Sequence, residues 1–186
     1  MQIEQTPLAG VLILTPARFG DARGFFSESW NRRVLARNGV DLDFVQDNHS
    51  LSVTPNTVRG LHFQAPPAAQ DKLVRCGQGA LLDVVVDIRR GSPTWGQWFA
   101  TELSAENGRQ ILVPKGFLHG FATRAPRTEI IYKCTDYYAP DCDRAVRWND
   151  PAIGIDWGLS ADPVLSEKDA AGPLLADLDS PFEWEG

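Results

Sequence analysis

The sequence predicts an all-β fold: an antiparallel sandwich or barrel with a few short peripheral helices, formed by a single domain over residues 1–186. Three observations lead there. From Val58 onward, short runs rich in Val, Ile, Leu, Phe and Trp recur at regular spacing. Turn-forming clusters separate them, among them Gly77-Gln78-Gly79, Gly91-Ser92-Pro93-Thr94 and Glu106-Asn107-Gly108. The runs do not alternate with long helical patterns, as βαβ units would require.

The elements follow in order. Gly10–Thr15 reads as a short buried strand stopped by Pro16. Gly20–Gly24 reads as a turn and Phe25–Trp30 as the next strand. A helix is expected over Asn31–Asn38, with Asn31 as its N-cap and Gly39 just past its end. Phe44–Ser50 resumes an extended, polar-alternating pattern, and Val58–Gln64 follows. Lys72–Arg75, Leu81–Ile88, Trp95–Leu103, Ile111–Val113, Phe117–Thr123 and Glu129–Lys133 complete the strands. Glu106-Asn107-Gly108 predicts a hairpin between two of them. From Asp150 the chain is rich in Pro, Gly, Asp and Ala, and is expected to wrap the barrel with short helices and loops.

Hydrophobic residues make up 43% and charged residues 23%, an ordinary balance for a soluble globular protein. The net charge of −6 argues against nucleic acid or an anionic membrane as the main partner. An anionic ligand would therefore need a local basic cluster. No apolar run approaches the roughly 20 residues a spanning helix needs. Met1-Gln2-Ile3-Glu4 lacks the basic start of a secretory signal, so a cytoplasmic location is expected. Cys76, Cys134 and Cys142 are odd in number and show no CxxC spacing, so no disulfide framework is expected.

Chemistry concentrates first in Thr57-Val58-Arg59-Gly60-Leu61-His62-Phe63-Gln64. Regular strand alternation puts Arg59 and His62 on opposite faces. A bulge at Gly60 would change that phase and bring both towards one pocket. A fixed cation near an imidazole suits an anionic substrate that also exchanges a proton. The plainer alternative is a core histidine bonded to backbone beside a surface arginine. The second stretch, Val113–Phe121, contains the PxGxxH pattern that recurs in cupin barrels, a hint of fold more than of reaction. Many cupins bind metal, but here His62 is followed by Phe63-Gln64 and not by a second histidine. A three-histidine site would need His49, His62 and His119 together, so no metal is expected.

All three tyrosines lie in Tyr132–Tyr138. A phenol becomes an acid catalyst when it faces a base across a pocket, and is otherwise a packing residue with a wet hydroxyl. In Ser166-Glu167-Lys168-Asp169, Ser166 and Asp169 read as a helix cap, or Asp169 as the partner that fixes a histidine tautomer. Spacing does not choose between these. Lys72 reads equally as a solvated surface lysine.

These stretches together resemble the dTDP-4-dehydrorhamnose 3,5-epimerase family, the RmlC-like cupins. The resemblance extends in order through Asp21–Phe26, Gln46–Ser50, Thr57–Gln64, Lys72–Arg75, Asp87–Gly96, Pro114–Phe121, Tyr132–Tyr138 and Leu165–Asp169, nearly the whole chain. It implies a cupin-type double-stranded β-helix, or jelly-roll barrel. It implies that His62 is the base removing protons at C5 and C3 of a dTDP-4-keto-6-deoxy sugar, with Asp169 as its partner. Lys72 would stabilise the enolate beside His119, which Asp83 would orient, and Tyr132 would be the acid on the opposite face. Arg23, Phe26, Glu28, Gln46, Asn48, Arg59, Tyr138, Asp143 and Lys168 would hold the substrate. Position 143 is Asp where the family pattern leads one to expect Glu. A homodimer with exchanged N-terminal strands is implied, and no cofactor. Similar sequences include enzymes inverting only one centre, and the motif residues are largely shared with them.

Overall fold

Alternating apolar positions fold the chain into two antiparallel sheets laid face to face. The computed structural model describes residues 1–186. The chain begins with β1 (Gln2–Gln5), β2 (Leu12–Thr15), β3 (Phe19–Asp21), β4 (Gly24–Phe26), α1 (Arg32–Ala36) and β5 (Gln46–Ser52). It continues through β6 (Val58–Gln64), β7 (Lys72–Gln78), β8 (Ala80–Asp87), β9 (Trp98–Ser104), β10 (Gln110–Val113), β11 (Phe117–Thr123) and β12 (Thr128–Cys134). β13 (Asp143–Ala145) and α2 (Glu167–Ala170) follow. One sheet has the order β1-β2-β10-β7-β12-β5 and the other β13-β6-β11-β8-β9, while β3 and β4 form a separate hairpin. From β5 to β13 the chain crosses between the sheets at almost every connection. This is the cupin-type double-stranded β-helix.

The inner faces meet in one core. Val74, Cys76, Ile111, Val113 and Ile130 of the six-stranded sheet pack against Leu81, Val85, Leu103, Phe117 and Phe121 of the five-stranded one. Burying each large aliphatic or aromatic side chain contributes about 1.5–3 kcal/mol. The outer face of the five-stranded sheet is covered by the C-terminal segment through Val146, Ile153, Trp157 and Leu175. The opposite outer face is covered by Leu35 of α1 and by Val40. Asn31 caps α1 as expected, its side chain accepting from the Val34 amide at 3.2 Å.

The tail closes one end of the barrel. Phe182 meets Phe63 edge-on at 5.8 Å and lines a small recess together with Lys72 and His119. The Arg89 guanidinium sits 4.3 Å from the ring centres of both Phe117 and Trp184, and pairs with buried Asp87 at 2.6 Å. No helix is long and apolar enough to cross a membrane.

Several expectations need correction. Asn107-Gly108 turns tightly, with Asn107 Oδ1 accepting from the Ser104 and Arg109 amides, but β9 and β10 lie in different sheets, so it makes no hairpin. The Phe25–Trp30 strand ends at Phe26, because Ser27 onward leads into the α1 cap. The predicted turn before it overlaps β3, whose only pairing is with β4. Trp95–Gln97 belongs to the turn before β9, where the Trp95 and Gln97 amides bond back to Ser92 and Thr94. The short strands β1 and β13 were not anticipated.

Candidate active site

Strand β6 carries the first functional pair, and a bulge aims it. Its pairing with β11 sets His62 opposite His119 but Arg59 opposite Phe121, one residue out of step. Gly60 lies between, at φ 126°. A Cβ there would stand 2.6 Å from Gly120 Cα, so only glycine lets the two strands approach this closely. Arg59 and His62 consequently line the same cavity, of about 470 Å³.

His62 Nε2 lies 2.6 Å from Asp169 Oδ1, and Ser166 Oγ lies 2.8 Å from Asp169 Oδ2. Burial pushes the Asp169 carboxyl up, but the hydrogen bonds from His62 and Ser166 outweigh it and hold it below the usual carboxylate range. An ionised carboxylate only accepts, so Nε2 carries a proton, and in the neutral ring Nδ1 is the nitrogen with the free lone pair. Both readings of Asp169 hold at once. Ser166 caps α2 by accepting the Asp169 amide at 3.1 Å, while the Asp169 carboxylate receives His62.

Deeper in, His119 Nε2 donates to both oxygens of fully buried Asp83, at 3.0 and 2.9 Å. Burial pushes Asp83 up, and His119 and Lys72 pull it only part of the way back. Lys72 enters from β7 and reaches the cavity with no ion pair or hydrogen bond from its ammonium. Burial lowers its pKa, against the opposing pull of Cys134, Asp143 and Asp83. Tyr132 lines the cavity from β12, on the sheet opposing His62. Its burial raises the phenol above its ordinary value.

The mouth is polar. Lys168 forms an ion pair with Asp143, which also accepts from the Tyr138 hydroxyl at 3.5 Å. Gln46 Oε1 accepts the Tyr138 amide at 2.9 Å, and Gln46 Nε2 donates to Asn48 Oδ1 at 3.1 Å. Arg59, Lys72 and Lys168 thus supply, within an acidic chain, the local cationic cluster an anionic ligand would need. Gln46, Asn48, Tyr138 and Asp143 do not line the cavity itself but are linked through these bonds to Lys168, which does, and three further expected residues lie apart from it. Arg23 sits at the β3–β4 tip with Asp21, Phe26 is 70% exposed on β4, and Glu28 accepts from Asn31. The third histidine, His49, faces outward and meets Glu129 at 3.0 Å.

Sequence reasoning passed over two contributors. Gln64 is buried, donates to the Ala68 and Tyr137 carbonyls and accepts the Ala139 amide, which fixes the loop bearing Tyr138. Ser50 lines the cavity between Asn48 and Ser52. A signal for Ser50 was available, because Gln46, Asn48, Ser50 and Ser52 place a polar side chain at every second position of β5.

The comparisons with known proteins agree. The family model described as dTDP-4-dehydrorhamnose 3,5-epimerase matches residues 5–177. A relative of that name from Salmonella typhimurium is 53% identical, over 94% of this chain and 96% of its own length. The crystal structure of the Bacillus anthracis dTDP-4-dehydrorhamnose 3,5-epimerase with TDP and PPi bound superposes with a TM-score of 0.91 at 50% identity, over 94% of this chain and 99% of that one. A Legionella pneumophila dTDP-6-deoxy-D-glucose-3,5-epimerase in complex with dTDP-4-keto-L-rhamnose gives a TM-score of 0.95 at 42% identity, covering 100% of this chain and 99% of that one. With motifs, fold and near full-length similarity in agreement, the chain belongs to the dTDP-4-dehydrorhamnose 3,5-epimerase family.

Proposed function

We propose that this protein inverts C3 and C5 of a dTDP-4-keto-6-deoxyhexose, converting dTDP-4-dehydro-6-deoxyglucose to dTDP-4-dehydrorhamnose. One observation carries the reading: a carboxylate-held histidine and a half-buried phenol enter one cavity from opposing sheets, with an unpaired lysine beside them. A 4-keto group acidifies the protons on both neighbouring carbons. His62 Nδ1 removes one of them, and the electron pair moves onto the ketone oxygen as an enolate. Lys72 meets that charge in a partly desolvated cavity, where a fixed cation is worth most. Tyr132 then returns a proton to the opposite face of the same carbon, and the configuration inverts. Afterwards His62 gives up its proton and Tyr132 regains one, so the catalyst resets with no net electron transfer. The second centre repeats the cycle.

Arg59 and Lys168 are placed to meet the diphosphate and sugar, and Tyr138 to flank the nucleotide. Asp143, a methylene shorter than Glu, serves chiefly to hold Lys168 at the mouth. Arg23, Phe26 and Glu28 act in trans, in a homodimer whose N-terminal strands reach the partner's cavity. The exposed Phe19, Phe25 and Phe26 on and around that hairpin support this reading. The three free thiols suit a cytoplasmic site of action. The deciding experiment is proton NMR of dTDP-4-keto-6-deoxyglucose with the protein in heavy water. Exchange with inversion at C3 and C5 is expected. Exchange at one centre alone would make it a mono-epimerase, and exchange at neither would reduce it to a nucleotide-sugar-binding barrel.

A further inference from the structure

Ser166 has no part in the mechanism above, yet its hydroxyl is engaged on both sides. It accepts the Asp169 amide at 3.1 Å and donates to Asp169 Oδ2 at 2.8 Å, while Oδ1 receives His62 at 2.6 Å. Each carboxylate oxygen therefore has its own donor, and rotation of the carboxylate away from His62 would break both bonds. The segment carrying Ser166 is also tied to the strand carrying His62. The Val58 amide donates to the Val164 carbonyl at 3.0 Å, and the Val164 amide to the Asn56 carbonyl at 2.9 Å. Residues 164–169 are thus joined to β6 twice, by backbone at Val58 and by side chain at His62.

We propose that Ser166 is a positioning residue for the epimerisation: its hydroxyl locks the Asp169 carboxylate, which in turn holds the His62 ring with Nδ1 facing the substrate. The inference rests on His62 being the base. α2 spans only four residues and is too short to orient Asp169 by its own rigidity, so the carboxylate is oriented by its donors, His62 and the Gly60 amide on β6 and the Ser166 hydroxyl at the helix start. Removing the hydroxyl frees the carboxylate to rotate and strengthens its hold on protons, because a donor to its charged form is lost.

The test is the pH profile of kcat/KM for Ser166→Ala, with Ser166→Thr as the conservative control and Asp169→Asn as the second arm of a double-mutant cycle. Losing a hydrogen bond to a charged group predicts a fall in kcat on the order of tenfold, with KM little changed. The acid limb should shift, because the carboxylate beside His62 is no longer fixed, and Thr should restore both rate and limb. In the Asp169→Asn background, Ser166→Ala should cost almost nothing further, because its partner is already altered. If Ser166→Ala unfolds α2, Ser166→Gly replaces it: glycine is tolerated at the N-cap at little cost but has no hydroxyl for Oδ2, so the same losses are expected. An unshifted acid limb with unchanged kcat, or full additivity with Asp169→Asn, overturns the proposal. Failure of the wild-type protein to exchange either sugar proton overturns the epimerase reading instead.

Discussion

A neutral histidine is a base at one nitrogen only, and in this cavity Asp169 makes the choice. Because Nε2 is committed to the carboxylate, the lone pair at Nδ1 is the one left to accept a carbon-bound proton. The acid is a separate residue, so the two halves of the reaction can be taken apart. Tyr132→Phe keeps the ring and its packing but loses the deliverable proton. In heavy water this variant should incorporate deuterium with retained configuration and form little inverted sugar, read by proton NMR. Inversion at the wild-type rate would assign the acid to another group. Lys72 offers a second separation, between activity and stability. Burial sets its folded pKa below its unfolded one, so wherever the unfolded lysine is charged, below about pH 10.4, the shift opposes folding. The opposition is complete below the folded pKa and fades as pH rises towards the unfolded value. Lys72→Met should therefore raise the melting temperature, by about 2–4 °C per kcal/mol gained for a chain of this size, while kcat collapses. A lower melting temperature would mean that the ammonium has favourable partners beyond those described.

At the scale of the strand, the site depends on one residue of slippage. Without the bulge at Gly60, Arg59 would leave the face His62 occupies. Gly60→Ala meets both a positive φ and a Cβ 2.6 Å from Gly120 Cα, so it should destabilise the fold by about 2 kcal/mol or more. Thermal unfolding checks the stability, and a loss of activity below the new melting temperature would show the site displaced as well. The bulge was legible from sequence because a glycine breaks an otherwise regular strand between two chemically loaded residues. Leu81–Ile88 and Phe117–Thr123 were legible as continuous apolar runs, and the observed strands match them closely. Asn107-Gly108 misled because a turn motif encodes the bend and not the sheet its flanks join. Asp169 meets His62 across 107 positions of sequence, a contact that no local pattern announces. The family resemblance supplied it.

At the scale of the whole molecule, the β3–β4 hairpin is the part the barrel does not use. Phe19, Phe25 and Phe26 are 66%, 62% and 70% exposed, a cost that docking onto a second copy would relieve. Exchange of the hairpins predicts complementation. Arg23→Ala and His62→Asn should each be nearly inactive alone. Mixed under conditions that allow subunits to exchange, they should regain about a quarter of wild-type turnover, because half the dimers are mixed and each has one intact site. Recovery of nothing from a verified mixed dimer would place Arg23 in its own subunit's site or in none. The tail sets a different condition, on when the cavity exists at all. Phe182 closes the barrel beneath Lys72 and His119, and Trp184 stacks on Arg89. A chain whose tail is detached would therefore have an unsealed cavity, with its proton transfers open to bulk water.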